Sequence, residues 1–165
     1  MEKRKPYQHP QPAKPAALNE PLALPWGTKQ ALDILRFYER FFQTPQTKLK
    51  AIKQGLAAQS ISDLLEISGA TQSQLAQILD LTEPTLRKHI KMGKELNTGL
   101  SEHIIALFEL FDKGMDTFGS LEEFKKWLPQ HNIGINANPI DLLDTITGIQ
   151  IVINELIRID YGITA

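Results

Sequence analysis

Apolar residues recur at helical spacing from residue 28 to the end of the chain, and no stretch alternates apolar and polar residues as a half-buried strand does. The clearest repeat lies near the end of the chain, where Ile149, Val152, Ile153, Leu156 and Ile157 follow the i, i+3, i+4, i+7, i+8 pattern. With 42% hydrophobic residues the chain has enough apolar side chains for a core. The sequence therefore predicts an all-α fold.

Residues with capping chemistry divide this pattern into separate helices. Ser, Thr and Asn just before an apolar repeat favour a helix start, and Gly just after one favours a helix end. The predicted N-caps are Thr28, Thr82 (with Pro84 in the first turn), Ser101, Ser120 (with a capping box to Glu123), Asn138 (followed by Pro139) and Thr145. The predicted glycine ends are Gly69, Gly93 and Gly162.

The beginning of the chain has a different composition. Six of the ten prolines lie within residues 1–25, and proline is excluded from helix interiors. We expect residues 1–26 to form a flexible basic tail, which either contacts phosphates or is an unstructured leader. Two helical domains, residues 27–99 and 100–165, are predicted to follow.

Charge is distributed unevenly along the chain. Residues 1–59 carry ten Lys and Arg against four Asp and Glu, whereas residues 100–165 carry four against ten. A basic front and an acidic back suggest two kinds of partner, although an uneven surface would have the same composition. The absence of cysteine excludes disulfides and thiolate chemistry.

Neither catalysis nor membrane insertion is expected. The four histidines lack paired metal spacing, and no Gly-rich phosphate loop is present. We therefore expect no enzyme activity, no metal and no cofactor. The apolar runs are too short to cross a bilayer, and the start of the chain lacks the apolar core of a signal peptide, so a cytoplasmic location is expected.

Residues 72–93 fit two short helices joined by a tight turn, the pattern of a helix-turn-helix. Ala76 supplies a small residue where the helices cross, Asp80 stands where glycine is common, and Leu86 and Ile90 anchor the second helix. A plain helical hairpin fits the spacing equally well. If the segment binds DNA, its candidate contacts to phosphates and bases are Ser73, Gln74, Thr82, Glu83, Thr85, Arg87, Lys88 and Lys91.

Two longer stretches resemble one known family. The segment containing "QLAQILDLTEPTLRKH", "LSEHIIALFEL" and "FGSLEEFKKWL" is similar to the Xre-like half of the type II antitoxins paired with RES-domain toxins. The closing "NPIDLLDTITGIQIVINELIRIDYG" is similar to their MbcA/ParS/Xre toxin-binding domain. The resemblance covers residues 49–165. One departure is Asn138, where the family often has Arg before the proline.

The resemblance implies an antitoxin that dimerises, binds its toxin through the C-terminal domain and represses its own operon. RES toxins consume NAD or transfer ADP-ribose. A stand-alone transcriptional regulator and an interaction adaptor are the alternatives. The candidate toxin contacts on the matching motif and its acidic end are Asn138, Pro139, Asp144, Thr145, Gly148, Arg158, Asp160, Tyr161 and Gly162.

The residue types also allow other roles at these positions. Tyr and Arg are enriched in interfaces, which favours Arg158 and Tyr161 as anchors. Alternatively, Tyr161 folds back and Arg158 pairs with Glu155 within the helix. A homodimer is predicted from a cluster of apolar aromatic side chains early in the chain, namely Phe37, Tyr38, Phe41 and Phe42.

Overall fold

A computed structural model describes residues 26–162 of the chain, with side chains described from residue 30. The predicted tail, apart from its last residue, and the final three residues lie outside this range. The elements are α1 (Trp26–Glu39), α2 (Pro45–Gln54), α3 (Gln59–Ser68), α4 (Gln72–Ile78), α5 (Glu83–Met92), α6 (Thr98–Phe118), α7 (Leu121–Trp127), a 3-10 turn η1 (Pro139–Leu142) and α8 (Ile146–Asp160). No strand occurs among the described residues, and the all-α prediction is confirmed.

The long helix α6 lies at the centre of the fold. It packs against α1, α2 and α3 on the N-terminal side and against α7 and α8 on the C-terminal side. Its apolar residues lie on several faces, and Ile104, Phe108 and Leu110 are completely buried. Both halves of the chain therefore share one core. The predicted division between residues 99 and 100, close to the start of α6, stays a prediction.

Several predicted caps are confirmed. The hydroxyl of Ser120 accepts the backbone N–H of Glu123, and Gly69 and Gly93 end their helices in left-handed conformation. The capping box at Ser120 is only half present, because Glu123 instead pairs with Lys126 at 2.7 Å.

The predicted starts of α1 and α6 were wrong. Helix α1 begins at Trp26, two residues before Thr28. Helix α6 is capped by Asn97, whose side-chain oxygen accepts the N–H of Leu100 at 2.9 Å. Ser101 lies inside the helix, fully buried, and its hydroxyl accepts the N–H of Leu56 at 2.9 Å. This serine links α6 to the end of α2 rather than capping a helix.

The apolar stripe of α8 is covered by α6. Ile149, Val152 and Leu156 are buried, but Ile157 is 38% exposed, so its inclusion in the buried stripe was wrong. Phe124 of α7 also packs on α6, where it stands edge-on to Phe111, with ring centroids 5.4 Å apart.

Candidate functional site

Helices α4 and α5 form the predicted helix-turn-helix. Asp80, between the helices, adopts a left-handed φ of 52°. The N–H of Asp80 bonds to the carbonyl of Gln77, and the N–H of Leu81 bonds to that of Ala76 at 2.8 Å. This double closure is a Schellman motif, usually built around glycine. Asp80 therefore makes the turn that the sequence position requires, at a modest conformational cost.

The start of α5 is held by a network of short polar side chains. The Thr82 hydroxyl accepts the N–H of Thr85 and lies 2.8 Å from the Thr85 hydroxyl. Arg87 forms an exposed ion pair with Glu83, and its Nε donates to the amide oxygen of Gln72 at 3.2 Å. The guanidinium thus bridges α5 to the first residue of α4, which fixes its position on the outer face.

The remaining predicted DNA contacts are on the surface. Ser73 and Gln74 are exposed in the first turn of α4, and Lys88 and Lys91 are exposed on α5. The Gln74 oxygen accepts the N–H of Thr71 at 2.9 Å, which leaves its amide nitrogen for an external acceptor. Polar donors, cations and helix N-termini are the groups that contact phosphates in protein–DNA complexes.

The entry to α8 is closely packed. The Thr145 hydroxyl accepts the N–H of Gly148 at 3.0 Å, which confirms the predicted cap. A Cβ on Gly148 would lie 2.8 Å from the carbonyl carbon of Leu142 and closer still to its oxygen. The backbone of η1 within the same chain therefore approaches Gly148 closely. Gly148 and Pro139 are buried, so they set the shape of this region from beneath its surface.

Asn138 and Asp144 flank η1 on its two sides. The position of Asn138 is that of an N-cap, but its side chain accepts no backbone N–H and instead donates to Asp141 at 3.0 Å. Asp144 is exposed. It lines a cleft of about 530 Å³ together with Asp141 and with Gln74 of α4, so the structure brings one predicted DNA residue and one predicted toxin residue to the same cleft.

The charged residues late in α8 have partners within the chain. Arg158 pairs with Glu155 at 2.8 Å, as the intrahelical alternative predicted. Glu155 is buried and fits against Gly134, where a Cβ would lie 2.7 Å from one carboxylate oxygen. Asp160 forms an ion pair with Lys113 of α6, and this lysine holds the pKa of the Asp160 carboxyl below its usual range.

One exposed face of α8 was missed by sequence reasoning. Ile146, Gln150, Asn154, Ile157 and Tyr161 fall on the same side of the helix, and none is charged at neutral pH. Ile146 is 39% exposed, Ile157 38% and Tyr161 77%. We name these five residues the outer face of α8. Eight of the fifteen residues of α8 are aliphatic, more than a single buried stripe holds, and this excess is the sequence signal for a second face.

The end of the described chain continues this face. Tyr161 does not fold back, since it is among the most exposed large apolar side chains of residues 30–162. Gly162 follows with a left-handed φ of 66°. Tyr161 and Gly162 are thus placed where a partner can reach them.

The aromatic cluster near the N-terminus is largely occupied within the chain. Tyr38 is buried, stacks on Phe108 at 3.8 Å between ring centroids and donates to Asp63 at 2.6 Å. Phe41 and Phe42 are partly buried against the core, whereas Phe37 is 49% exposed. The homodimer stays a prediction, with one strongly exposed aromatic residue to support it.

Two general features bear on the class of protein. Among residues 26–162 no group of three His, Asp or Glu side chains is placed to hold a metal ion. No helix in the same range combines the length and apolar character needed to cross a membrane.

Comparison with known proteins matches both halves of the chain. Residues 48–109 match the model of the antitoxin Xre-like helix-turn-helix domain, and residues 113–162 match that of the antitoxin Xre/MbcA/ParS C-terminal toxin-binding domain. A curated relative from Sphingobium sp. (strain YBL2), the "Prs ADP-ribosylating antitoxin", is 28% identical over 129 residues, covering 72% of this chain and 81% of the relative. The chain therefore belongs to the Xre/MbcA/ParS antitoxins, with a helix-turn-helix DNA-binding domain followed by a toxin-binding domain.

Proposed function

We propose that this antitoxin neutralises a RES-type toxin that consumes NAD or transfers ADP-ribose, and that it does so in the cytoplasm as a binding protein without catalytic activity of its own. The relative named for ADP-ribosylation supports this class of toxin. The toxin-binding domain supports direct contact as the means of neutralisation.

The observation that carries the proposal is the outer face of α8. Its exposed isoleucines and Tyr161 are uncharged and lie within the matched domain. Protein interfaces are depleted of charge at their centre and enriched in Tyr. The toxin is therefore proposed to cover Ile146, Ile157 and Tyr161, while Asp144 and the end of the chain border its active site.

Electrostatics supports this arrangement. A cleft that binds the phosphates of NAD must be basic, and residues 100–165 carry an excess of acidic residues. Asp144 is exposed and available to a basic partner. Asp160 must exchange Lys113 for a toxin cation, which costs little because the present pair is partly exposed to solvent.

The experiment that tests the proposal is Ile157→Asp. A charge at the centre of an apolar interface is expected to cost at least about 2 kcal/mol, or roughly thirtyfold in Kd. Binding to purified toxin by calorimetry and rescue of growth on co-expression are the two measurements. Leu49→Asp is the matched control, since Leu49 is 52% exposed on α2, outside the toxin-binding domain. Equal toxin affinity of the two variants would refute the outer face as the toxin contact.

Repression of its own operon is the second part of the proposal. The exposed cations of α5 and the polar first turn of α4 support promoter binding with a salt-dependent affinity. An electrophoretic mobility-shift assay with a promoter fragment at low salt, with and without toxin, tests promoter binding. A stand-alone regulator would bind the promoter equally well, but it would not bind the toxin.

A homodimer completes the proposal. It is supported by the exposed ring of Phe37 and by Phe41 and Phe42, which are only partly buried beside it. Light scattering at micromolar concentration gives the mass directly, and a monomer would reject the dimer.

A further inference from the structure

An apolar groove runs between α1 and α3, away from the proposed toxin and promoter contacts, and it includes Phe37, on which the proposed homodimer also rests. Its volume is about 520 Å³. One wall is the stripe of α1 formed by Gln30, Asp33, Ile34 and Phe37, and its floor includes Tyr38. The groove therefore offers aromatic and aliphatic surface, with half of the Phe37 side chain facing solvent.

The rim of this groove is acidic. Among its described lining residues the charged ones are Asp33 and Asp63. Asp63 is fixed by Tyr38 and by Gln59, which donates to it at 3.0 Å. Asp33 is exposed and forms no ion pair with another described residue. Aromatic grooves of this kind bind proline-rich segments, because a polyproline II helix is already extended and lays its rings on aromatic side chains.

A segment with the complementary chemistry lies directly before α1. Residues 1–25 contain six prolines and four Lys or Arg against two Glu. They include "PAKP" at positions 12–15, a Pro-x-x-Pro motif with Lys14 inside it. The basic side chains match the acidic rim, and the prolines match the aromatic wall.

The segment is long enough to reach the groove. Phe37 lies eleven residues beyond Trp26, about 16 Å along the helix axis. A polyproline II segment extends about 3.1 Å per residue, so the ten residues between Pro15 and the start of α1 can span roughly 30 Å. The chain can therefore turn back beside α1 and place positions 12–15 along the stripe from Gln30 to Phe37.

We propose that residues 1–25 of the same chain dock in the groove between α1 and α3, with the Pro12–Pro15 motif on Phe37 and Tyr38 and a basic side chain on Asp33. The contact is intramolecular, so the tether supplies a high effective concentration, and a weak interaction is enough to keep the groove covered. This contact is independent of the proposed toxin and promoter contacts, whereas the proposed homodimer would compete with it for Phe37.

Disulfide trapping in the full-length protein tests the proposal, since the chain has no cysteine of its own. Ala13→Cys is combined with Ala57→Cys, which introduces a thiol at an exposed groove-lining position. The control pairs Ala13→Cys with Gln130→Cys, an exposed residue that does not line the groove. We expect rapid intramolecular bond formation in the first variant, at a rate unchanged by dilution, and slow formation in the control.

Two further substitutions examine the chemistry of the contact. Asp33→Asn in the Ala57→Cys background should lower the extent of trapping about two- to fivefold, the worth of one exposed ion pair. Phe37→Ser should lower it further, because the proline rings lose their aromatic wall. Equal rates in the groove and control pairs, or insensitivity to both substitutions, would overturn the proposal. A disulfide between two chains would also overturn it, by assigning the groove to a second copy.

Discussion

Replacement of Gly148 by alanine tests how the entry to α8 is built. A Cβ at this position would lie 2.8 Å from the carbonyl carbon of Leu142, and real Cβ atoms essentially never approach within 3.0 Å. The obstacle is backbone, so no side-chain rotation relieves it. Either η1 or the first turn of α8 must move.

The expected change in the free energy of unfolding of Gly148→Ala follows from two opposing contributions. Overpacking of a close contact costs about 1–3 kcal/mol. Alanine regains up to about 1 kcal/mol of helix propensity, and less in a first turn such as this one. We expect a net loss of about 1–2 kcal/mol, which lowers the unfolding midpoint by roughly 2–8 °C for a chain of this size.

The assay is thermal unfolding followed by circular dichroism, together with toxin affinity measured far below the midpoint. Gly99→Ala is the matched control, since Gly99 also lies in the first turn of a helix but a Cβ there would meet its nearest neighbour only at 3.7 Å. The control should be neutral or slightly stabilising. Asp144, which is proposed to border the toxin's active site, lies just after η1. A shift of η1 in Gly148→Ala should therefore weaken toxin binding as well. Equal midpoints for the two variants would refute the argument.

Three further predictions concern charge and the end of the chain. Arg87→Ala should lower promoter affinity in a gel assay and relax sequence preference if this residue reads a base, whereas a uniform loss on all DNA would restrict it to phosphate contact. Deleting Asp160–Ala165 removes the ion pair with Lys113 and should cost about 1 kcal/mol or less of stability, yet it should abolish growth rescue from the toxin; a truncated chain that still rescues growth would make this end dispensable. Asp112→Asn should raise the unfolding midpoint near neutral pH, because burial and then the nearby Glu39 raise the pKa of Asp112 in the folded protein. The ionised Asp112 carboxylate destabilises the folded protein at pH values above that raised pKa. At a pH low enough to protonate Asp112 in both the folded and the unfolded protein, this cost is absent, so Asp112→Asn should no longer raise the midpoint there.

Much of the helix-turn-helix could be predicted from sequence because its determinants are local. Thr82 caps its helix through a residue three positions away, and the turn at Asp80 closes on carbonyls of the preceding helix. Capping and turn rules describe interactions over such distances. The same rules predicted the start of α6 wrongly. Ser101 binds Leu56, 45 residues earlier, and no local pattern distinguishes that contact from a cap.

The charged residues of α8 show a second limit. Because acidic side chains are seldom buried, residue type alone favours an exposed position for Glu155. It is buried because Arg158 pairs with it and because Gly134, in a distant loop, leaves room for its carboxylate. The helical spacing of residues in α8 predicts neither the position of this loop nor the space that it leaves for the Glu155 carboxylate. The tertiary contact with Gly134 therefore determines the buried position of Glu155.

Helix α8 itself connects stability with function. Its inner stripe is satisfied by α6, which already covers Ile149, Val152 and Leu156. Further aliphatic residues on the outside contribute little to the folded monomer, and exposed apolar surface carries a solubility cost. Retaining Ile146 and Ile157 in contact with water is consistent with a helix that has two buried faces only when its partner is bound. Under the proposed toxin contact, binding would bury the isoleucine side chains that the free antitoxin leaves exposed to water.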